Sequence, residues 1–260
     1  MKRKKVELLA PAGNLDKLKT AFAFGADAVY VGIPDFSLRV RINDFTIEGI
    51  AEAVAYAHKI GKRLYVTVNI FAHNEHLNKL PAHIEKLKAI KVDGVFISDP
   101  AVMIIIKKIW PQANIVLSTQ ANCTNWLAAE YWHQQGIKRV ILSRELSLAD
   151  IKEIKKRIPK LEVECFVHGA LCMAYSGRCF LSKYFTDRNA NLGDCVQPCR
   201  WKYNVYLAEE NKKNDFIKLI EEEHGSYILN SEDLCLIKRM GELINIGIDA
   251  LKIEGRAKSV

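Results

Sequence analysis

Short apolar runs alternate along this chain with longer stretches of helical period, and that rhythm constrains the fold more than any other feature. "VELLAPA" precedes "NLDKLKTAFAFG", "AVYVG" precedes "TIEGIAEAVAYAHKIG", and "RLYVTVNI" precedes a helix around "LPAHIEKLKAIK". The series continues with "GVFIS" and "DPAVMIIIKKIW", "NIVLST" and "NWLAAEYWHQQG", "RVILSR" and "SLADIKEIKKRI", then a seventh run, "VECFVHG". Asp99 suits an N-cap and Pro100 the first helical position, where a missing N–H costs nothing. Ser147 and Asp150 have the spacing of a capping box. After the seventh strand the rhythm breaks for about sixty residues, near 170–230, through a cysteine segment and a predicted hairpin, "KYNVYLAEENKKNDFIKLI". It resumes with "SEDLCLIKRMGELINIG" and "DALKIEGR". Eight strands with right-handed crossovers predict an α/β fold, a (β/α)8 TIM-like barrel, as one domain over residues 1–260 with a cysteine-containing insertion after strand seven. The chain stops four residues after Arg256, where an eighth helix would stand. The expectation is a truncated chain or a first strand left uncovered on one side.

Barrels of this kind place their sites at the C-terminal ends of the strands. The polar residues there are Asn69, Asp99, Gln120, Asn122, Arg144, Glu145, His168, Glu254 and Arg256. The amides can hydrogen-bond a substrate or tie loops together. Arg144 and Arg256 can grip carboxylates, or form ion pairs with Glu145 or Glu254. At 49% hydrophobic over 260 residues the chain can bury a full core. No run reaches the roughly 18 apolar residues of a membrane span, and "MKRKKVELLAPAG" lacks a signal-peptide core, so a cytoplasmic protein without membrane contact is expected. The net charge of +8 would draw a polyanion such as RNA by counterion release.

"HGALCMAYSGRC" and "NLGDCVQPCR" put four of the seven cysteines between Cys172 and Cys199. An odd count without an export signal argues for reduced thiols or metal ligands over a disulfide framework. Cys123 and Cys165 read as small buried apolar residues. Cys172, Cys179, Cys195, Cys199 and Cys235 read as candidates for a thiolate-bound metal centre. Zinc sites favour paired C-x2–4-C spacing, which only Cys195 and Cys199 offer. The radical C-x3-C-x2-C motif fails because Lys202 stands where its third cysteine belongs. An iron–sulfur cluster on four scattered thiolates, a zinc ion, and redox or structural thiols all remain open. So does a nucleophilic Cys172 or Cys179 paired with His168.

The segment "ECFVHGALCMAYSGRCFLS" resembles the signature of the U32 family, historically called collagenase-like peptidases. The resemblance extends to "RNANLGDCVQPCRWKY", "YILNSEDLC", "LKIEGRAKS", "ELLAPAGNLDKLKTAFAFGADAVYVG", "STQANCTN" and "LSREL". It implies oxygen-independent hydroxylation, since family members act on the tRNA wobble uridine to give 5-hydroxyuridine with prephenate as hydroxyl source, on a cytidine of 23S ribosomal RNA, or on the ubiquinone ring. It also implies a [4Fe–4S] cluster on Cys172, Cys179, Cys195 and Cys235, with Cys199 spare. Within that reading His168, Glu254 and Arg256 are the catalytic candidates, and Asn69, Gln120, Asn122 and Arg144 contact the substrate. Trp201 and Tyr203 stack a base or anchor the insertion. The expected function is iron–sulfur-dependent hydroxylation of tRNA uridine, with tRNA as partner and prephenate as co-substrate. A U32 peptidase is the alternative, although neither H-E-x-x-H nor G-x-S-x-G is present. A ubiquinone-modifying chain paired with a sister U32 subunit, or a 23S rRNA enzyme, completes the range.

Overall fold

In the computed structural model, which describes residues 5–33, 35–37, 44–175, 178–208, 216–219 and 233–255, the apolar runs become strands. The first seven are β1 (Glu7–Pro11), β2 (Ala28–Gly32), β3 (Arg63–Val68), β4 (Gly94–Ile97), β5 (Ile115–Leu117), β6 (Arg139–Ile141) and β7 (Glu162–Ala170). Next come β8 (Val205–Ala208) and β9 (Phe216–Leu219), an antiparallel pair apart from the main sheet and the hairpin expected from sequence. Two strands follow, β10 (Asp233–Cys235) and β11 (Ala250–Ile253). Strands β1 to β7 pair in sequence order and in parallel, and β11 closes the ring between β7 and β1. The result is the closed eight-stranded parallel barrel that the β/α rhythm predicts.

Helices α1 (Leu15–Ala23), α2 (Ile47–Lys59), α3 (Asn74–Ala89), α4 (Pro100–Ile109), α5 (Trp126–Gln134) and α6 (Leu148–Arg157) cover the outside. Their starts follow local chemistry. Asp99 accepts from the Ala101 amide at 2.8 Å with Pro100 opening α4, and Ser147 and Asp150 form the capping box of α6. Leu64, Val66 and Val68 of β3 point outward into the core beneath these helices, while Tyr65 points inward with Leu9, Tyr30, Phe96 and Phe166.

Where the rhythm resumes, over "SEDLCLIKRMGELINIG", the chain first adds a short strand. This strand, β10, runs antiparallel to β7 and sets Cys235 opposite His168. The helix proper, α8 (Met240–Ile246), is short, because Asp233 to Cys235 satisfy their backbone groups on the extended end of β7. The insertion also contains a six-residue helix, α7 (Leu181–Thr186), in a segment whose sequence shows no helical period. Among the described residues, no helix follows β11, and none is long and apolar enough to cross a membrane.

Candidate functional site

Closing the barrel brings charges from five strands together. Arg139 on β6, almost fully buried, bridges Glu7 at 2.7 Å, Glu162 at 2.8 Å and Glu164 at 3.3 Å. Arg63 also pairs with Glu7. These carboxylates raise the pKa of Arg139 against the opposing effect of burial, so the guanidinium stays charged. Beside it the Tyr65 hydroxyl is pushed up to about 12, chiefly by burial. One layer above, Lys252 of β11 lies 3.1 Å from Glu164, with its ammonium 3.9 Å from the Phe96 ring centre and 4.3 Å from that of Tyr30. Aromatic faces and a buried carboxylate thus hold one ammonium at the barrel axis.

Above Lys252 the barrel opens into a small cavity at the C-terminal ends of the strands. Five residues picked from sequence line it: Asn69, Gln120, Arg144, Glu254 and Cys172. Arg144 pairs with Glu254 at 3.1 Å, the ion pair weighed against substrate binding, and its guanidinium lies 4.1 Å from the Phe166 ring centre. Glu145 is engaged instead by the Ser143 hydroxyl. Asn69 donates to Ser118 Oγ at 3.2 Å, and Asn122, in the left-handed region at φ 51°, donates to the Gln120 carbonyl at 3.1 Å. Both amides therefore brace loops. Gln120 lines the cavity, and its Oε1 is buried and accepts no hydrogen bond from any described residue.

Sequence reasoning missed Lys252, Tyr30, Thr67 and Phe166, which line the same cavity. Lys252 was legible in principle, since it stands two residues before Glu254 and so shares its face of the strand. A bulge in the β7–β11 pairing, at Lys252 and Ile253, turns the mouth ends of both strands. There the Glu254 amide donates to the His168 carbonyl at 2.8 Å. Gly169 follows at φ +110°, and a Cβ on it would lie 2.4 Å from the Glu254 carbonyl oxygen, so only glycine fits. The His168 side chain is exposed. Arg256 lies outside the described residues.

The cysteines divide as expected. Cys123 and Cys165 are buried, and burial pushes their thiols up to about 11 and about 12. The other five are exposed or half-buried and free. Burial raises the Cys199 thiol, and Cys172, Cys195 and Cys179 raise it further while Arg200 opposes them. Cys172, Cys179 and Cys195 therefore each sit within electrostatic reach of Cys199, which the resemblance left spare. Cys235 stands across the sheet from His168. The insertion carrying them is fastened to the barrel. Cys179 N donates to Asn191 Oδ1 at 3.2 Å, the Asn191 carbonyl accepts from Phe71 N after β3, and Arg200 donates to the Leu171 carbonyl at 3.2 Å.

Comparison with known proteins agrees with this architecture. The model of peptidase family U32 matches residues 13–260. The chain is similar to tRNA hydroxylation protein P1 of Bacillus subtilis (strain 168), at 44% identity over 99% of this chain and 60% of that protein. It is 34% identical to the 23S rRNA 5-hydroxycytidine C2501 synthase of Escherichia coli (strain K12), over 98% of this chain and 37% of that enzyme. It spans about three fifths of the length of tRNA hydroxylation protein P1 of Bacillus subtilis and of the P proteins of Helicobacter pylori. A solved U32 peptidase superposes with a TM-score of 0.62 at 12% identity, covering 97% of this chain and 94% of that one, which shows a shared fold. With the barrel, the cysteine insertion and the matched span in agreement, the chain belongs to peptidase family U32.

Proposed function

We propose that this chain is the barrel part of an iron–sulfur-dependent RNA hydroxylase acting on tRNA uridine to give 5-hydroxyuridine. The observation that carries the reading is the position of Cys172, which lines the barrel-mouth cavity together with Arg144, Glu254, Asn69, Gln120 and Lys252. A thiolate centre there stands where a base would enter. The relatives named for tRNA and rRNA hydroxylation point to the same substrate class, and the charge of +8 suits it.

A [4Fe–4S] cluster fits the donor set of Cys172, Cys179, Cys195 and Cys235, with Cys199 beside the first three. Only Cys195 and Cys199 have the C-x2–4-C spacing that a structural zinc ion favours, so scattered thiolates suit a cluster better. When bound, the cluster supplies electron transfer beside the substrate. The protein's part is to position. Arg144 and Lys252 offer two cations for a dicarboxylate hydroxyl donor such as prephenate, with the Phe166 ring between them. Gln120 Oε1 accepts from a base, which must leave its stack to reach this depth. Glu254 holds Arg144 until a ligand carboxylate displaces it, and exposed His168 at the rim handles protons.

The reading is tested by expressing this chain in a bacterium lacking its own tRNA hydroxylation proteins and measuring tRNA nucleosides by mass spectrometry. 5-Hydroxyuridine should return with the natural chain and stay absent with Cys172→Ala. Unmodified tRNA in cells holding folded, iron-loaded protein would overturn it.

A further inference from the structure

Large apolar side chains normally leave the surface, yet the cysteine insertion keeps several aromatic rings in solvent. Phe180 is 75% exposed, Tyr184 82% and Tyr175 55%. The rings are not loose. Tyr184 N donates to the Phe180 carbonyl at 2.9 Å, which places these two side chains one helical turn apart on the same face of α7. Behind them Phe185 packs 5.2 Å from Tyr184, 6.0 Å from Trp201 and 6.3 Å from Tyr203, whose hydroxyl is anchored on the Pro198 carbonyl at 2.7 Å. Trp201 and Tyr203, the aromatics singled out by sequence, thus support a pair that sequence passed over.

Charge says what such a face would meet. Residues 170–208 contain five Arg and Lys against two Asp. Arg188 and Arg200 are occupied by Asp194 and Asp233. Lys183 shares an exposed pair with Asp187, and Arg178 has no side-chain partner among the described residues. Arg178, Phe180 and Tyr184 line one open groove with Met173 and Cys179. That groove begins at Met173, one residue past the Cys172 that lines the barrel mouth. Rings at a one-turn spacing beside cations are the arrangement that single-stranded nucleic acid recognises, with bases stacking and phosphates paired.

We propose that the exposed face of α7 is a single-stranded RNA platform, on which Phe180 and Tyr184 stack bases and Arg178 and Lys183 meet phosphates, so that a neighbouring nucleotide reaches the barrel mouth. This rests on the RNA reading above and assigns the surface that grips the strand. The one charged side chain lining the groove, Arg178, is a cation, and the segment around it carries more Arg and Lys than Asp, which favours a polyanionic strand.

The test is fluorescence anisotropy with a labelled, uridine-containing single-stranded RNA of about 12 nucleotides, a length within known single-strand site sizes. Tyr184→Ala and Phe180→Ala should each weaken binding about tenfold, and Tyr184→Phe should leave it unchanged. Arg178→Ala should flatten the log–log salt dependence by about 0.7. If the natural chain binds the RNA and both alanine variants, folded by circular dichroism, bind within about twofold of it, the platform is wrong while the RNA reading stands. If the natural chain does not bind, both fall. If Tyr184→Ala converts a dimer to a monomer by light scattering without changing RNA affinity, the face is a protein interface and the platform is again wrong.

Discussion

Phe166 stands between two cations, with the Arg144 guanidinium 4.1 Å and the Lys252 ammonium 5.4 Å from its ring centre, and the two carry different costs. Lys252 and Glu164 are both buried, so Lys252→Met leaves a buried carboxylate with less compensation. The variant should lose about 3 kcal/mol in urea unfolding. Arg144 and Glu254 are mostly buried at the cavity, and Arg144→Ala, which leaves Glu254 without this partner, should cost about 1–2 kcal/mol. On the proposed reading tRNA modification should fall at least roughly tenfold as well, because a charge-assisted grip on the donor is lost. The thiols separate in the same way. Cys235→Ala should abolish iron binding, and Cys199→Ala should retain it, as colorimetric iron counts would show; the opposite pattern would move the fourth ligand to Cys199.

The β7–β11 junction governs how the strand ends meet the insertion. Gly169→Ala forces a Cβ to within 2.4 Å of the Glu254 carbonyl at φ +110°, and the chain must shift there. We expect a loss of about 2 kcal/mol or more in thermal or chemical unfolding, together with a change at the cavity mouth seen as lost modification. Much at this scale was legible in the sequence, because strand periods, the Asp99 cap and the Ser147 box depend on neighbours a few residues apart. What was illegible depends on closure. Glu7, Arg139, Glu164 and Lys252 come from four strands and meet only when β11 joins β1 and β7. β10 is three residues long, too short for a period, and forms because β7 extends past the barrel to receive it. The exposed rings of α7 escaped notice because nothing local distinguishes an aromatic that packs from one that waits for a ligand.

For the molecule as a whole, acid is the sensitive direction. Burial raises the Asp27 carboxyl, but hydrogen bonds from Lys5 and Leu8 N and the charges of Lys5 and Lys62 outweigh it and hold the pKa below its ordinary value. A carboxylate depressed in the fold contributes stability that is fully present above the unfolded value of about 3.9 and is lost as pH falls through the folded one. Thermal melts should therefore show Asp27→Asn less stable than the natural chain at neutral pH, with the difference closing as pH drops below about 4. The same chain places a cavity with Arg144 and Lys252 in its wall, an insertion carrying four cysteines, and exposed aromatic rings at one end of a barrel. The central claim is that the thiols hold a cluster. It is tested most directly by purifying the protein without air and measuring iron, acid-labile sulfide and the visible absorption spectrum, alongside Cys172→Ala. The account predicts about four iron and four sulfide per chain with a broad brown absorption, both lost in the variant. A colourless protein without iron after anaerobic reconstitution would contradict it.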